Sequence, residues 1–132
     1  MNLQKNTMLA LYAVLEFAAR PGENVSAGEV AARHGESVHH LAKVLSELVR
    51  AGIVESVRGV GGGYRFAANP RRLTMLDVIQ LFERLGEERR GARDPIDRTL
   101  DQVLEEIEQT AIATFGTITI STLLQMVRRS GG

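Results

Sequence analysis

A run of glycines at residues 58–63 restricts the fold of this chain more than any other feature of its sequence. The run, Arg-Gly-Val-Gly-Gly-Gly, lies between a β-branched segment at 53–57 and a second short segment at 64–66, so the chain must turn back there as a hairpin. Two short helical patterns precede it, and Ser26 and Ser37 are their predicted N-caps; Glu29, three residues after Ser26, completes a predicted capping box. Helix, short turn, helix and hairpin is the order of a winged helix-turn-helix, whose second helix enters the major groove of DNA.

The second of these helices has one apolar and one polar side. Hydrophobic residues recur at spacings of three and four between positions 38 and 49, which is the pattern of a helix that buries one face. His39, His40 and Lys43 lie outside this pattern. Because the apolar face is committed to the core, the polar side is free to meet base edges or phosphates. We therefore predict that this is the DNA-recognition helix.

The distribution of charge favours the N-terminal part of the chain as the part that meets DNA. The 132 residues carry no net charge, but residues 1–72 hold nine Lys and Arg against six Asp and Glu, whereas residues 73–132 hold seven against ten. The glycines of the hairpin tip would let the backbone approach the sugar-phosphate wall closely. The predicted DNA-binding residues are Ser26, Ser37, His39, His40, Lys43, Arg58, Gly61, Gly62, Tyr64 and Arg65.

Several other classes of function are disfavoured by what the sequence lacks. It contains no cysteine, which excludes disulfides, cysteine-ligated zinc sites and thiol nucleophiles. No serine, histidine and acid form a recognisable nucleophile motif, so we do not expect an enzyme. There is no signal peptide and no apolar run of about 20 residues, so the expected location is the cytoplasm, without membrane association.

The histidines and the glycine run each have an alternative interpretation. His34, His39 and His40 invite a metal site, but adjacent helical residues point about 100° apart and no third ligand is evident. We therefore expect solvated or DNA-contacting histidines and no metal. The glycine run at 58–63 has the composition of a phosphate-binding loop, yet no Gly-Lys-Ser/Thr follows it, and a strand comes next where such a loop requires a helix.

A change of composition near residue 86 divides the chain. Residues 1–85 form the predicted winged helix-turn-helix domain, mainly α with a small β-hairpin, and end after a helix that Thr74 and Asp77 begin as a capping box. Residues 86–94 are charged and glycine-containing, as expected of a linker. Residues 95–132 restart with an Asp-Pro helix start and form the predicted dimerisation helix and C-terminal segment.

The helix that starts at residue 95 carries a narrow apolar seam. Its hydrophobic residues fall close to a four-three spacing, and acidic residues occupy the outer face. A seam this narrow needs a partner helix, which predicts a homodimer. The predicted interface residues are Ile96, Leu100, Val103, Leu104, Ile107 and Ala111.

Three motifs lie close together in the N-terminal part of the chain: Val-Arg-Gly-Val-Gly-Gly-Gly-Tyr at 57–64, His-Leu-Ala-Lys-Val-Leu at 40–45 and Ala-Gly-Ile-Val at 51–54. With these motifs the chain resembles the Rrf-two family of bacterial transcription regulators, which includes the IscR and NsrR branches. Residues 73–78 are similar to the helix that follows the wing in that family, and 117–120 to its C-terminal segment. The resemblance implies a homodimer that pairs through the long helix, binds a palindromic operator in double-stranded DNA and usually represses.

The chain departs from this family at the cofactor. Well-known members ligate an iron-sulfur cluster through three cysteines before the dimer helix, and the matching interval, residues 85–98, has neither cysteine nor histidine. An aspartate that completes the cluster in part of the nitric-oxide branch corresponds to Met8. We therefore expect no cofactor. The resemblance leaves a small-molecule or protein effector open, as some cysteine-poor relatives use one.

Two classes of function are consistent with these features of the sequence. The first is the dimeric, sequence-specific DNA-binding regulator, which accounts for the capped helix pair, the glycine-rich hairpin and the seam together. The second is a winged-helix module for protein-protein contact regulated by a partner protein, since the fold alone does not require DNA binding. Basic residues near the predicted groove-facing surface favour the first.

Overall fold

The computed structural model describes residues 3–86 and 94–131, and these residues form six helices and a two-stranded antiparallel sheet. Most of the predicted linker, residues 87–93, lies outside the described residues. The elements are α1 Lys5–Ala18, α2 Ala27–Arg33, α3 Val38–Arg50, β1 Val54–Val57, β2 Gly63–Phe66, α4 Met75–Ile79, α5 Pro95–Phe115 and α6 Ile120–Ser130.

Helix α1 is the centre of the hydrophobic core. Ala10, Ala13 and Val14 have no exposed surface, and small side chains at these positions let the neighbouring helices approach closely. Helix α3 packs on α1 through its predicted apolar face, of which Leu41 and Leu45 are completely buried. The predicted winged helix-turn-helix, mainly α with a small hairpin, is therefore confirmed, with α2 and α3 as the helix pair.

Helix α6 returns to the N-terminal core and completes it. Ile120 is completely buried, and its backbone N–H donates to the Leu73 carbonyl over 2.8 Å. Met75 N–H donates to the Ile118 carbonyl over 2.7 Å, so the chain before α6 is hydrogen-bonded to the start of α4. The domain division at residues 85 and 95 stays a prediction, but α6 shares the hydrophobic core of the first segment.

The helix caps follow the sequence closely, with one difference. Thr74 and Asp77 form the complete capping box at α4, and Asp94 caps α5 by accepting from the Asp97 N–H over 2.9 Å. At α2, the Ser26 hydroxyl accepts from the Glu29 N–H over 3.1 Å. The Glu29 carboxylate, however, forms an ion pair with Arg20, so the predicted capping box at Ser26 is only half formed.

Helix α5 is the element with the least burial in the described chain. None of its 21 residues is buried, and its contacts with the rest of the chain lie mainly with α4 and near its C-terminal end. Five of the six predicted interface residues are exposed and Ala111 is half-buried. The exposed residues are Ile96, Leu100, Val103, Leu104 and Ile107.

Candidate nucleic-acid interface

The outer face of α3 is polar and open to solvent. The Ser37 hydroxyl caps the helix by accepting from the His40 N–H over 3.0 Å, so it satisfies a backbone donor in the first turn of α3. Opposite the buried side, exposed polar residues recur at spacings of four, three and four, which places them on one stripe. These residues are His39, Lys43, Ser46 and Arg50.

His40 lies at the edge of this stripe and is held by α1. Its Nε2 atom lies 2.7 Å from Oδ1 of Asn6, in the first turn of α1. Beside it, the Lys5 ammonium lies 3.0 Å from the Glu36 carboxylate and lowers the pKa of that carboxyl, chiefly through their hydrogen bond. Glu36 also accepts from the Ser37 N–H over 3.2 Å. The first turn of α1 therefore orients the start of the recognition helix.

The wing is the β1–β2 hairpin with its connecting loop at residues 58–62, and its glycines are required by sterics. The strands pair from Val54 with Phe66 to Val57 with Gly63. A Cβ added at Gly62 would lie 2.3 Å from the Val57 carbonyl oxygen. One added at Gly63, whose φ is 150°, would lie 2.6 Å from the Val25 carbonyl oxygen. No other residue fits either position without a backbone shift.

The loop before α2 fastens the wing to the helical body. Val25 and Tyr64 exchange two backbone hydrogen bonds of 2.8 Å, which form an isolated antiparallel bridge beside β2. The Asn24 side-chain amide donates to the Gly61 carbonyl over 3.2 Å, at the tip of the wing. The wing is thus held along β2 and at its tip.

The predicted contact residues on the wing differ in their surroundings. Arg58 is exposed and forms no hydrogen bond or ion pair with any residue that the structure describes. Arg65 instead donates to Glu55 across the strands, with Nε to Oε1 at 2.8 Å, which offsets its charge. The half-buried Tyr64 ring lies 6.1 Å from the Phe17 ring, so it packs towards the core. Arg58 is therefore the cation most available to DNA on the wing.

His34 was expected to be solvated or to contact DNA, and the structure corrects this. Its ring stacks on Tyr12 with centroids 4.6 Å apart and an interplanar angle of 9°, and its Nε2 lies 3.3 Å from Glu16. Arg33 Nη1 reaches the same carboxylate over 3.1 Å. These residues line a groove of about 420 Å³ between α1, the end of α2 and α6. His34 thus joins α2 to α1.

Five residues of the candidate interface were not singled out by the sequence analysis: Asn6, Asn24, Ser46, Arg50 and Val60. Asn6 and Asn24 act through contacts with segments 34 and 37 residues away, and no local pattern marks them. Val60 was visible as the one hydrophobic side chain within the glycine run, but only the structure shows that it is fully exposed at the tip of the wing.

Comparison with known proteins places the chain among transcription regulators. The family model described as "Rrf2: Iron-dependent Transcriptional regulator" matches residues 3–126. BadM of Rhodopseudomonas palustris, whose own assignment as an HTH-type transcriptional regulator is provisional, is 51% identical over 130 residues, which cover 96% of this chain and 83% of BadM. The HTH-type transcriptional regulator CymR of Bacillus subtilis is 28% identical over 127 residues, or 90% of this chain and 92% of CymR.

The donor atoms of this chain do not fit the thiolate-ligated cluster of well-known family members. Such clusters depend on cysteine, with histidine as the usual substitute. The whole sequence has no cysteine. Within residues 3–86 and 94–131, no three His, Asp or Glu side chains gather as a metal site would require.

Solved structures agree with the fold. The structure of B. subtilis CymR matches with a TM-score of 0.81 at 24% identity, covering 96% of this chain and 98% of that one. IscR of T. potens matches with the same score and identity, over 98% and 90%. No helix among the described residues is long and apolar enough to span a membrane. The chain belongs to the Rrf2 family, the Rrf-two family named above, and is a DNA-binding transcription regulator with a winged helix-turn-helix fold.

Proposed function

We propose that this protein is a homodimeric repressor that binds a palindromic operator through α3 and the wing, without enzymatic activity and without an iron-sulfur cluster. The observation that carries the proposal is the stripe of His39, Lys43, Ser46 and Arg50 along the exposed side of α3. Ser37 caps the start of α3, and Asn6 of α1 contacts His40 in its first turn, so α3 is held in one orientation. A recognition helix needs this, since base contacts are sensitive to small displacements.

Arg58 and the backbone of the wing add the contact to the sugar-phosphate wall. Arg58 is exposed beside a tip whose glycines leave the backbone uncovered, and a guanidinium there can reach phosphate or the adjacent minor groove. Arg65 is assigned a lesser part, because Glu55 already offsets its charge. Ser26 and Ser37 contribute mainly as caps of α2 and α3, in addition to any contact of their hydroxyls with phosphate.

The dimer is supported by the exposed seam of α5. Leu100, Leu104 and Ile107 are each between 44% and 59% exposed, which is unusual for side chains of this size at regular helical spacing. Pairing two such helices would bury them and would hold two recognition helices at a set distance, as a palindromic operator requires. The cytoplasm is the compartment in which such a regulator acts. The effector is a small molecule or a partner protein.

Paired measurements on specific and scrambled DNA test this proposal. Operator is first recovered by selection from random DNA, and binding is then measured over a salt series. Arg58→Ala should weaken specific and non-specific binding together and reduce the salt slope by about one, because it removes a phosphate contact. Lys43→Ala should weaken binding to operator by roughly 1–3 kcal/mol and should change binding to scrambled DNA much less, because it removes a contact inside the major groove.

Arg129→Ala is the matched control for loss of one charge. It lies in the last turn of α6, which packs on α1 and away from α3, so its salt slope should equal that of the parent. If Arg58→Ala and Lys43→Ala both bind operator within about threefold of the parent, the surface is wrongly assigned. A winged-helix module for protein contact would then be the better interpretation.

A further inference from the structure

The wing carries a bare hydrophobic side chain at its tip. We propose that Val60 inserts into the minor groove of the operator and selects A·T base pairs at the position beneath the wing. Val60 is fully exposed, so its side chain contributes nothing to the core. The inference deepens the proposed function and rests on it, since it names a further specificity-determining residue for the same DNA.

The wing holds this valine in a preformed position. Gly62 N–H donates to the Gly59 carbonyl over 3.0 Å, which closes a turn with Val60 and Gly61 at its centre. Gly61 has φ of 75°, as the third residue of a type II turn requires. The hydrogen bond from Asn24 to the Gly61 carbonyl ties this turn to the helical body. Because this turn is held by hydrogen bonds within itself and to Asn24, the Val60 side chain stays exposed.

The shape of the tip suits the minor groove. On either side of Val60, positions Gly59 and Gly61 carry no side chain, and nothing lies within 4 Å of the place where their Cβ atoms would be. The tip of the wing therefore presents bare backbone and a single side chain, the isopropyl group of Val60. The minor groove is about 6 Å wide, and architectural proteins insert apolar side chains into it.

The chemistry of the groove floor gives the predicted selectivity. A G·C pair places the guanine 2-amino group in the minor groove, whereas an A·T pair leaves that space open. An apolar group that reaches the floor would collide with this amino group and would also leave its N–H without a partner. Arg58, two residues before Val60, adds a positive charge, which narrow A·T-rich minor grooves attract.

Inosine separates this contact from every contact in the major groove. An inosine·cytosine pair matches G·C in the major groove but lacks the 2-amino group. The pairs beneath the wing are set to A·T, G·C or inosine·cytosine in one operator, and binding is measured for each. We expect the parent to bind the G·C operator about threefold to tenfold more weakly than the A·T operator, and the inosine·cytosine operator to recover most of the lost affinity.

Val60→Ala should bind the A·T operator about threefold to tenfold more weakly and should lose most of the discrimination between G·C and inosine·cytosine. Val38→Ala is the matched control, because Val38 is an exposed valine at the start of α3 and its replacement should leave that discrimination unchanged. Since Val60 is outside the core, the thermal unfolding midpoint of Val60→Ala should equal that of the parent.

Two results would overturn the inference: a parent that binds G·C and inosine·cytosine operators equally, or a Val60→Ala variant that discriminates as the parent does. Failure of the proposed function looks different. In that case the parent would bind the A·T operator no better than scrambled DNA, before any base pair is changed.

Discussion

Replacing Leu104 and Ile107 with glutamate should convert the protein from a dimer to a folded monomer. These side chains are 44% and 59% exposed in the single chain, so about half of each surface is available for burial against a partner. The rest of the fold should survive, because no side chain of α5 is buried in the described chain.

The size of the effect follows from that exposure. Full burial of a Leu or Ile side chain contributes about 1.5–3 kcal/mol, so half-exposed residues should contribute roughly 1 kcal/mol each on pairing. Two substitutions in each of two protomers remove four such side chains, or roughly 4 kcal/mol, which raises the dissociation constant by about a thousandfold. Like charges placed face to face in the seam add to this.

Sedimentation velocity over a concentration series measures the association directly, and far-ultraviolet circular dichroism checks that the variant is folded. Gln102→Glu with Gln109→Glu is the matched control. It adds the same two charges to the exposed face of α5 opposite the seam and should leave the dimer intact. The monomeric variant should also bind a full operator only as weakly as a single half-site.

An unchanged dimer in the Leu104→Glu, Ile107→Glu variant would refute the reasoning, because the seam would then not be the interface. Loss of the dimer in the glutamine control as well would point to general charge repulsion. Only a monomer that is specific to the seam substitutions supports the assignment.

Three further predictions follow from the described contacts. Thr74→Ala removes one side of the α4 capping box and should lower the free energy of unfolding by about 0.5–2 kcal/mol in urea titration. Gly63→Ala should markedly lower the free energy of unfolding because its Cβ would meet the Val25 carbonyl oxygen, and an unchanged stability would contradict the fixed wing. Gly28→Ala is its control: a Cβ at Gly28, inside α2, would meet only the Ser26 hydroxyl oxygen at 3.9 Å, so this variant should be more stable by roughly 0.5–1 kcal/mol. The lowered pKa of Glu36 gives stability that is complete above the unfolded pKa and is lost as pH falls through the folded value, and Lys5→Met should reduce that loss in acid unfolding curves.

The parts of the fold that sequence predicts well are those specified by neighbouring residues. The capping box at Thr74 and Asp77 and the cap at Asp94 involve backbone N–H groups three residues away, so the local pattern contains both partners. The amphipathic pattern of α3 likewise separates its buried from its exposed side, because a helix of known period leaves one solution. The order of elements was therefore predictable.

The parts that sequence did not predict depend on contacts between distant segments. Glu29 has the spacing of a capping box, but Arg20 from the end of α1 takes its carboxylate. Nothing in the sequence around His34 indicates that Tyr12 and Glu16 lie beside it in the fold. Such pairings depend on how the helices dock, and the period of a helix carries no information about which residue of another helix it will meet.

The connection between α5, the proposed dimer helix, and α3 runs through well-packed elements. The chain leaves α5 at Phe115, which packs on the core, and Ile120 then anchors α6 against α1. At its other end α1 holds the start of α3 through Asn6 and His40. In the proposed dimer, a rotation of α5 relative to the α5 of the partner subunit would therefore move each DNA-binding domain as a unit and change the distance between the two recognition helices. An effector that alters this pairing can release the operator without unfolding either DNA-binding domain.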